Sequence, residues 1–130
     1  MCGKTFSISA ALLAVFFNDG VWSSDETPSV PYIICAAFDY TLAKQMADQG
    51  MEWQNVAAWA DEFGLTAIEL DRRQGVPAEV AGNLISQLIG RFRDRSMTRE
   101  GFLQLAEKHG ESCAALAHQL ARSPIIQKKH

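Results

Sequence analysis

The chain reads as all-α, a compact bundle of four to five short helices after an N-terminal signal peptide, with a disulfide between the first and last helices. Three observations point there. Apolar residues recur at spacings of three and four from Ile34 to Leu120, the period of a helix with one buried face. Beyond the N-terminal segment there is no strand-like alternation and no Asn-Gly or Asp-Gly hairpin signal. Prolines and glycines stand where helices begin and end.

Each element follows from that punctuation. Pro31 opens a first helix that runs to Gln49, with Ile34, Cys35, Phe38, Leu42 and Met46 turned inward and Gly50 as its stop. The second is expected over Glu52 to Phe63, with Trp53, Val56, Ala57, Ala60 and Phe63 apolar and Gly64 ending it. "LTAIELDRRQG" then supplies a short helical piece or an irregular link. A third helix runs from Pro77 to about Arg93, with Val80, Leu84, Leu88 and Phe92 in an i, i+4 row and Ala81 and Ile85 beside it. Ser96 and Thr98 are candidate caps for the next segment, whose Phe102, Leu105 and Ala106 face inward. Gly110 makes that segment one kinked helix or two, with Cys113, Leu116 and Leu120 continuing the row.

At 130 residues the chain has room for one core, and 48% hydrophobic with 21% charged residues is an ordinary globular composition. A formal charge of -3 argues against general nucleic-acid affinity, which needs a cationic face. The N-terminus differs from the rest. Lys4 is its only early charge, an apolar run extends from Phe6 to Phe17, and Asn18, Asp19 and Gly20 follow, the three-part layout of a secretory signal peptide. The run is too short for a bilayer span, which needs roughly 20 apolar residues. Small residues at Val21 and Ser23 place the cut after Ser23. The expected organisation is a signal peptide over 1–23, a linker over 24–30, a helical domain over 31–123 and a flexible tail over 124–130. The competing readings are a buried N-terminal element of a cytosolic protein and an uncleaved anchor.

Cysteine parity bears on the same question. Three cysteines are present, Cys2, Cys35 and Cys113. Removing the signal peptide removes Cys2 and leaves one possible intramolecular pair, Cys35 with Cys113. The alternative is two buried thiols acting as small hydrophobes in a reducing compartment. The layout of signal, helices and two cysteines resembles that of many small exported all-helical bacterial proteins. The resemblance is one of class, rests on no diagnostic motif and transfers no functional residues.

Chemistry leaves few marks. His109 and Cys113 are four apart and share a helix face, as a base and nucleophile or two metal ligands would; the plainer reading is a solvent-facing His109 beside the Gly110 break. His118 reads as a half-buried polar residue. Asp61 with Glu62, Glu69 with Asp71, and Glu107 with Glu111 are possible acid pairs, or charges on exposed helix faces. Zinc-ligand spacings, phosphate-binding loops and nucleophile elbows do not occur, so no catalytic residue, metal or cofactor is assigned. The cluster "RFRDRSMTR" stands out, with Arg91, Arg93, Arg95 and Arg99 at the end of the third helix. They complement the helix dipole, or, with Arg72 and Arg73, grip an acidic partner, a phosphate or a lipid head group. Trp53 and Trp59, six apart, do not share a helix face, so at least one is partly exposed, as at an interface.

The function these features favour is that of a small exported protein, periplasmic or secreted, that binds another protein as an inhibitor, immunity factor or envelope accessory. Its membrane contact is confined to the signal peptide. The alternatives are an exported enzyme with a carboxylate or histidine site and a cytosolic helical regulatory domain.

Overall fold

The structure, a computed structural model, describes residues 27–126. The expected signal peptide, the first residues of the linker and the end of the tail lie outside the described residues. Four helices make up the fold, α1 (Val30–Asp48), α2 (Gln54–Arg73), α3 (Ala78–Arg95) and α4 (Arg99–Arg122), with no strand among the described residues. The connections between them are five, four and three residues long. Links this short turn each helix back along its predecessor, so the bundle runs up, down, up and down.

Side chains tie both ends. Where α1 and α3 finish, the Gln45 side-chain amide donates to the Ser96 carbonyl and hydroxyl at 3.4 and 3.3 Å. At the opposite end the Ser29 hydroxyl, just before α1, bonds to the buried Asp71 carboxyl near the end of α2. Arg73 donates to the carbonyl of Ile125 at 3.2 Å, drawing the segment after α4 onto α2. Midway, the Tyr40 hydroxyl donates to the Asp61 carboxylate across the α1–α2 interface.

Helix α1 sits in the centre and packs against the other three. Its buried residues, from Val30 and Ile33 to Thr41 and Ala43, lie all round the helix, as expected of an element enclosed on every side. Small residues allow this: Ala36 and Ala37 are fully buried and let neighbouring backbones approach. Thr41 returns its hydroxyl to the Ala37 carbonyl at 2.9 Å, so its polar atom adds no unmet demand to the core. α2 and α3 instead bury one stripe each, Ala60, Phe63, Thr66, Ala67 and Asp71 on one, and Ala81, Leu84, Ile85, Leu88 and Phe92 on the other.

The helix ends follow local chemistry. Gly50 and Gly75 have φ of 72° and 77°, a left-handed conformation that glycine adopts without a side-chain clash. In both cases the glycine N–H bonds three residues back and the next N–H five back, from Gly50 to Ala47 and Met51 to Met46, and from Gly75 to Arg72 and Val76 to Asp71. At the start of α4 the Thr98 hydroxyl accepts from the Gly101 N–H at 3.0 Å. Ser96 is no N-cap; it closes α3, donating its hydroxyl to the Arg93 carbonyl at 3.0 Å.

Two sequence expectations change, at Gly64 and Val80, and a third, at Gly110, is narrowed to a single helix. Gly64 does not end α2, because the stripe through Phe63, Ala67 and Asp71 continues past it and buries the second half as deeply as the first. The uncertain piece from Leu65 to Arg73 is therefore the rest of α2. Gly110 leaves α4 continuous from Arg99 to Arg122, with His109 and Cys113 buried on either side of it. Both glycines cost helix propensity, about 1 kcal/mol each relative to alanine, which tertiary packing offsets. Val80 starts the α3 row in sequence, yet it is 36% exposed because Ala81 takes the inward position.

A disulfide joins Cys35 of α1 to Cys113 of α4, with Cα atoms 5.4 Å apart across a sequence separation of 78. Both cysteines are buried. No helix among the described residues is long and apolar enough to cross a membrane.

Candidate functional site

Closure of the disulfide settles the possible nucleophile. With its sulfur bonded to Cys35, Cys113 has no thiolate for attack or for metal binding. His109 is not solvent-facing: it is 8% exposed and lies between the rings of Phe38 and Phe92, with centroids at 5.9 and 5.3 Å. The helix turns it inward because it shares a face with Leu105 and Cys113. Burial among these rings, reinforced by the charges of Lys108 and Arg95, lowers its pKa to about 4, so it is a neutral packing residue at neutral pH. His118 is exposed and borders, with Tyr32 and Arg122, an open hollow of about 650 Å³.

Of the possible acid pairs, Asp61, Glu69 and Asp71 each have a different setting, and Glu107 and Glu111 are both exposed on α4. Asp61 accepts from Tyr40, whose hydroxyl is pushed up to about 12 by burial and then by that contact. Glu69 is gripped by Arg72 and Arg73 at 2.7 and 2.9 Å, and these bonds hold its carboxyl down at about 2. Asp71, next to it in the proposed pair, is buried against Ser29, and burial raises its pKa. Among the described residues no group of three or more His, Cys, Asp or Glu side chains is placed to hold a metal.

Arg91, Arg93, Arg95 and Arg99 are exposed, the first three on the last turns of α3 and the fourth opening α4. Arg72 and Arg73 do not join them. They close α2 at the far end of the bundle, about 27 Å away along the 18 residues of α3, and their partner is Glu69. The arginine-bearing end carries something else. Met51 and Trp53, in the α1–α2 link, and Met97, in the α3–α4 link, are 52, 40 and 80% exposed. The bond from Gln45 to Ser96 brings the two links to the same end. Trp53 thus lies with the arginines, whereas Trp59 lies farther along α2, half-buried against Phe63 with ring centroids 5.7 Å apart.

Trp59 belongs to a second feature that the sequence reading passed over. Between α1, α2 and α4 is a cleft of about 330 Å³, with Asp39, Leu42, Val56 and Trp59 on one side and Ala106 and Gly110 on the other. A side-chain carbon built on Gly110 would meet nothing within 4 Å, so the space is open there. Asp39 is half-buried, and burial alone pushes its carboxyl up to about 7. One signal did exist in the sequence: Asp39 is the lone charge between Glu26 and Lys44, in the most apolar stretch of the helical part.

Comparison with protein-family models, with curated proteins and with solved structures finds no match for this chain.

Proposed function

We propose that this is a small exported protein, periplasmic or secreted, that acts by binding another protein, as an inhibitor, immunity factor or envelope accessory does. The observation that carries the reading is the end of the bundle that bears exposed Met51, Trp53 and Met97 together with exposed Arg93, Arg95 and Arg99. Aromatic residues, methionine and arginine are the types enriched at protein interfaces, where the apolar groups give up water and the guanidiniums pair with carboxylates. The Cys35–Cys113 bridge supports export, since structural disulfides persist in oxidising compartments.

The test is partner capture from the native host with three bait proteins. The wild-type chain captures a defined partner; the Arg93→Glu/Arg95→Glu double variant and the Trp53→Ala variant, both folded by circular dichroism, lose it. Unchanged capture by both variants would remove this end of the molecule from the proposal. Intact-mass measurement of the native protein is expected to show a start near Ser24, and retention of Met1 would count against export through a cleaved signal.

A further inference from the structure

Asp39, on α1, has no hydrogen-bond or ion-pair partner among the described residues, whereas Glu69 and Asp71 of α2 each have one. Its neighbours in the cleft are apolar: Leu42, Val56, Trp59 and the small α4 residues Ala106 and Gly110. A carboxylate in such surroundings loses hydration without compensation. We propose that this cleft is a binding site for a small organic ammonium ion with an apolar body, its charged head paired with Asp39 and its body lying against Trp59.

The chemistry of the lining selects that ligand class. The cleft has one anionic group and no cation on its walls, so an anionic ligand would meet repulsion and a neutral one would leave the carboxylate unpaired. A bare metal ion needs several oxygen or nitrogen ligands, and only Asp39 is present. An ammonium group supplies the missing charge and up to three donors, while an indole face attracts a cation and an apolar body alike. The volume of about 330 Å³ lies at the lower end of the range for small-molecule sites. The raised pKa of Asp39 has the same origin, because an unpaired acid in an apolar cleft holds its proton. The site is distinct from the arginine-bearing end, so its failure and the failure of the partner-binding reading are separable.

The experiment titrates the disulfide-bonded protein with 2-phenylethylammonium at about pH 8, where the carboxyl is ionised. The neutral 2-phenylethanol and the anionic 3-phenylpropanoate serve as probes of the same shape. Binding is followed by calorimetry and by the indole N–H resonance of Trp59. The expected result is saturable 1:1 binding of the ammonium, roughly tenfold or more tighter than the alcohol, with the anion weakest. Asp39→Asn should bring the ammonium down to the affinity of the alcohol and leave the alcohol unchanged. Ala114→Leu, at an exposed position bordering the cleft, should weaken both. The proposal is overturned if no saturable binding is found into the millimolar range, if the ammonium binds no tighter than the alcohol, or if a folded Asp39→Asn protein keeps the wild-type ammonium affinity. Should that variant not fold, an unchanged ammonium affinity in Ala114→Leu overturns it as well.

Discussion

Helix α1 buries nine of its 19 residues and α4 four of its 24, although each carries one half of the disulfide. The first is enclosed by three neighbours. The second lies on the outside and reaches the core through Leu105, His109, Cys113 and Leu120. Apolar burial scales with the area removed from water, so the non-covalent hold on α1 greatly exceeds that on α4. The difference teaches where the covalent link matters. In α1, Cys35 is one of many packed side chains; in α4, Cys113 anchors a helix that otherwise rests on a narrow stripe and leaves a cleft against α2. Stability is then uneven along the chain, with α4 the segment expected to open first.

The largest effect expected from disturbing this contrast is that of the bridge itself. For a loop of this length the chain-entropy relation assigns the link about 4–5 kcal/mol. The Cys35→Ala/Cys113→Ala protein should therefore melt well below wild type. Hydrogen exchange gives the sharper test: amides of α4 should lose protection while those of α1 keep most of theirs. Equal loss in the two helices would show that the bundle opens as one unit and that the contrast has no energetic meaning.

A smaller effect concerns pH. His109 has a folded pKa near 4 against an ordinary value of 6.5, so the unfolded chain takes up its proton more readily. Its contribution is fully present above pH 6.5 and is lost as pH falls through 4, a change on the order of 2–3 kcal/mol. Asp39 acts in the opposite sense. Its raised value, about 7 against 3.8, means its contribution is present at low pH and is lost as pH rises through 7. In the wild type the two slopes oppose each other between about pH 4 and 6.5. Denaturant titrations should show, relative to wild type, a steeper acid loss in Asp39→Asn and a stability that falls more with rising pH in His109→Leu. If both variants keep the wild-type profile, neither group is perturbed as described.

The smallest expected effects separate two glycines of α4. A Cβ on Gly101 would come within 2.0 Å of the Arg95 carbonyl oxygen, so Gly101→Ala forces the α3–α4 link to shift, at about 1–3 kcal/mol. Gly110 has open space around it, and Gly110→Ala should stabilise the helix by about 0.5–1 kcal/mol. Thermal melts of the two variants should move in opposite directions. A destabilised Gly110→Ala protein would show that the cleft side of α4 is more tightly packed than its geometry indicates.

Much of the architecture was legible because it is written in short-range chemistry. Pro31, Gly50, Gly75 and Thr98 mark ends where a fixed φ, a left-handed residue or a hydroxyl cap is needed, and each acts within a few residues of itself. The pairing of Cys35 with Cys113 was legible by parity once Cys2 was set aside. Gly64 was misleading, and Gly110 left one helix or two open, for the same physical reason. Gly64 and Gly110 weaken a helix locally, but neighbours on other helices decide whether the helix continues. The candidate sites were half legible. "RFRDRSMTR" announced its arginines, whereas their separation from Arg72 and Arg73 and their company with Met51 and Met97 depend on which helix ends meet.

By itself, then, the order of residues determined that this chain is helical and roughly where its helices begin and stop, and with Cys2 set aside it left one pair of sulfurs to join. Periodicity and caps act through bonds and contacts between near neighbours in sequence, and parity is a count of cysteines that needs no geometry. Only the tertiary arrangement decided that α1 is enclosed while α4 is peripheral, that His109 is a neutral residue between two phenylalanine rings, and that Asp39 faces an apolar cleft beside Trp59. Those outcomes depend on which faces of distant segments meet, because burial and desolvation are set by the atoms that surround a group in space, whatever its place along the chain.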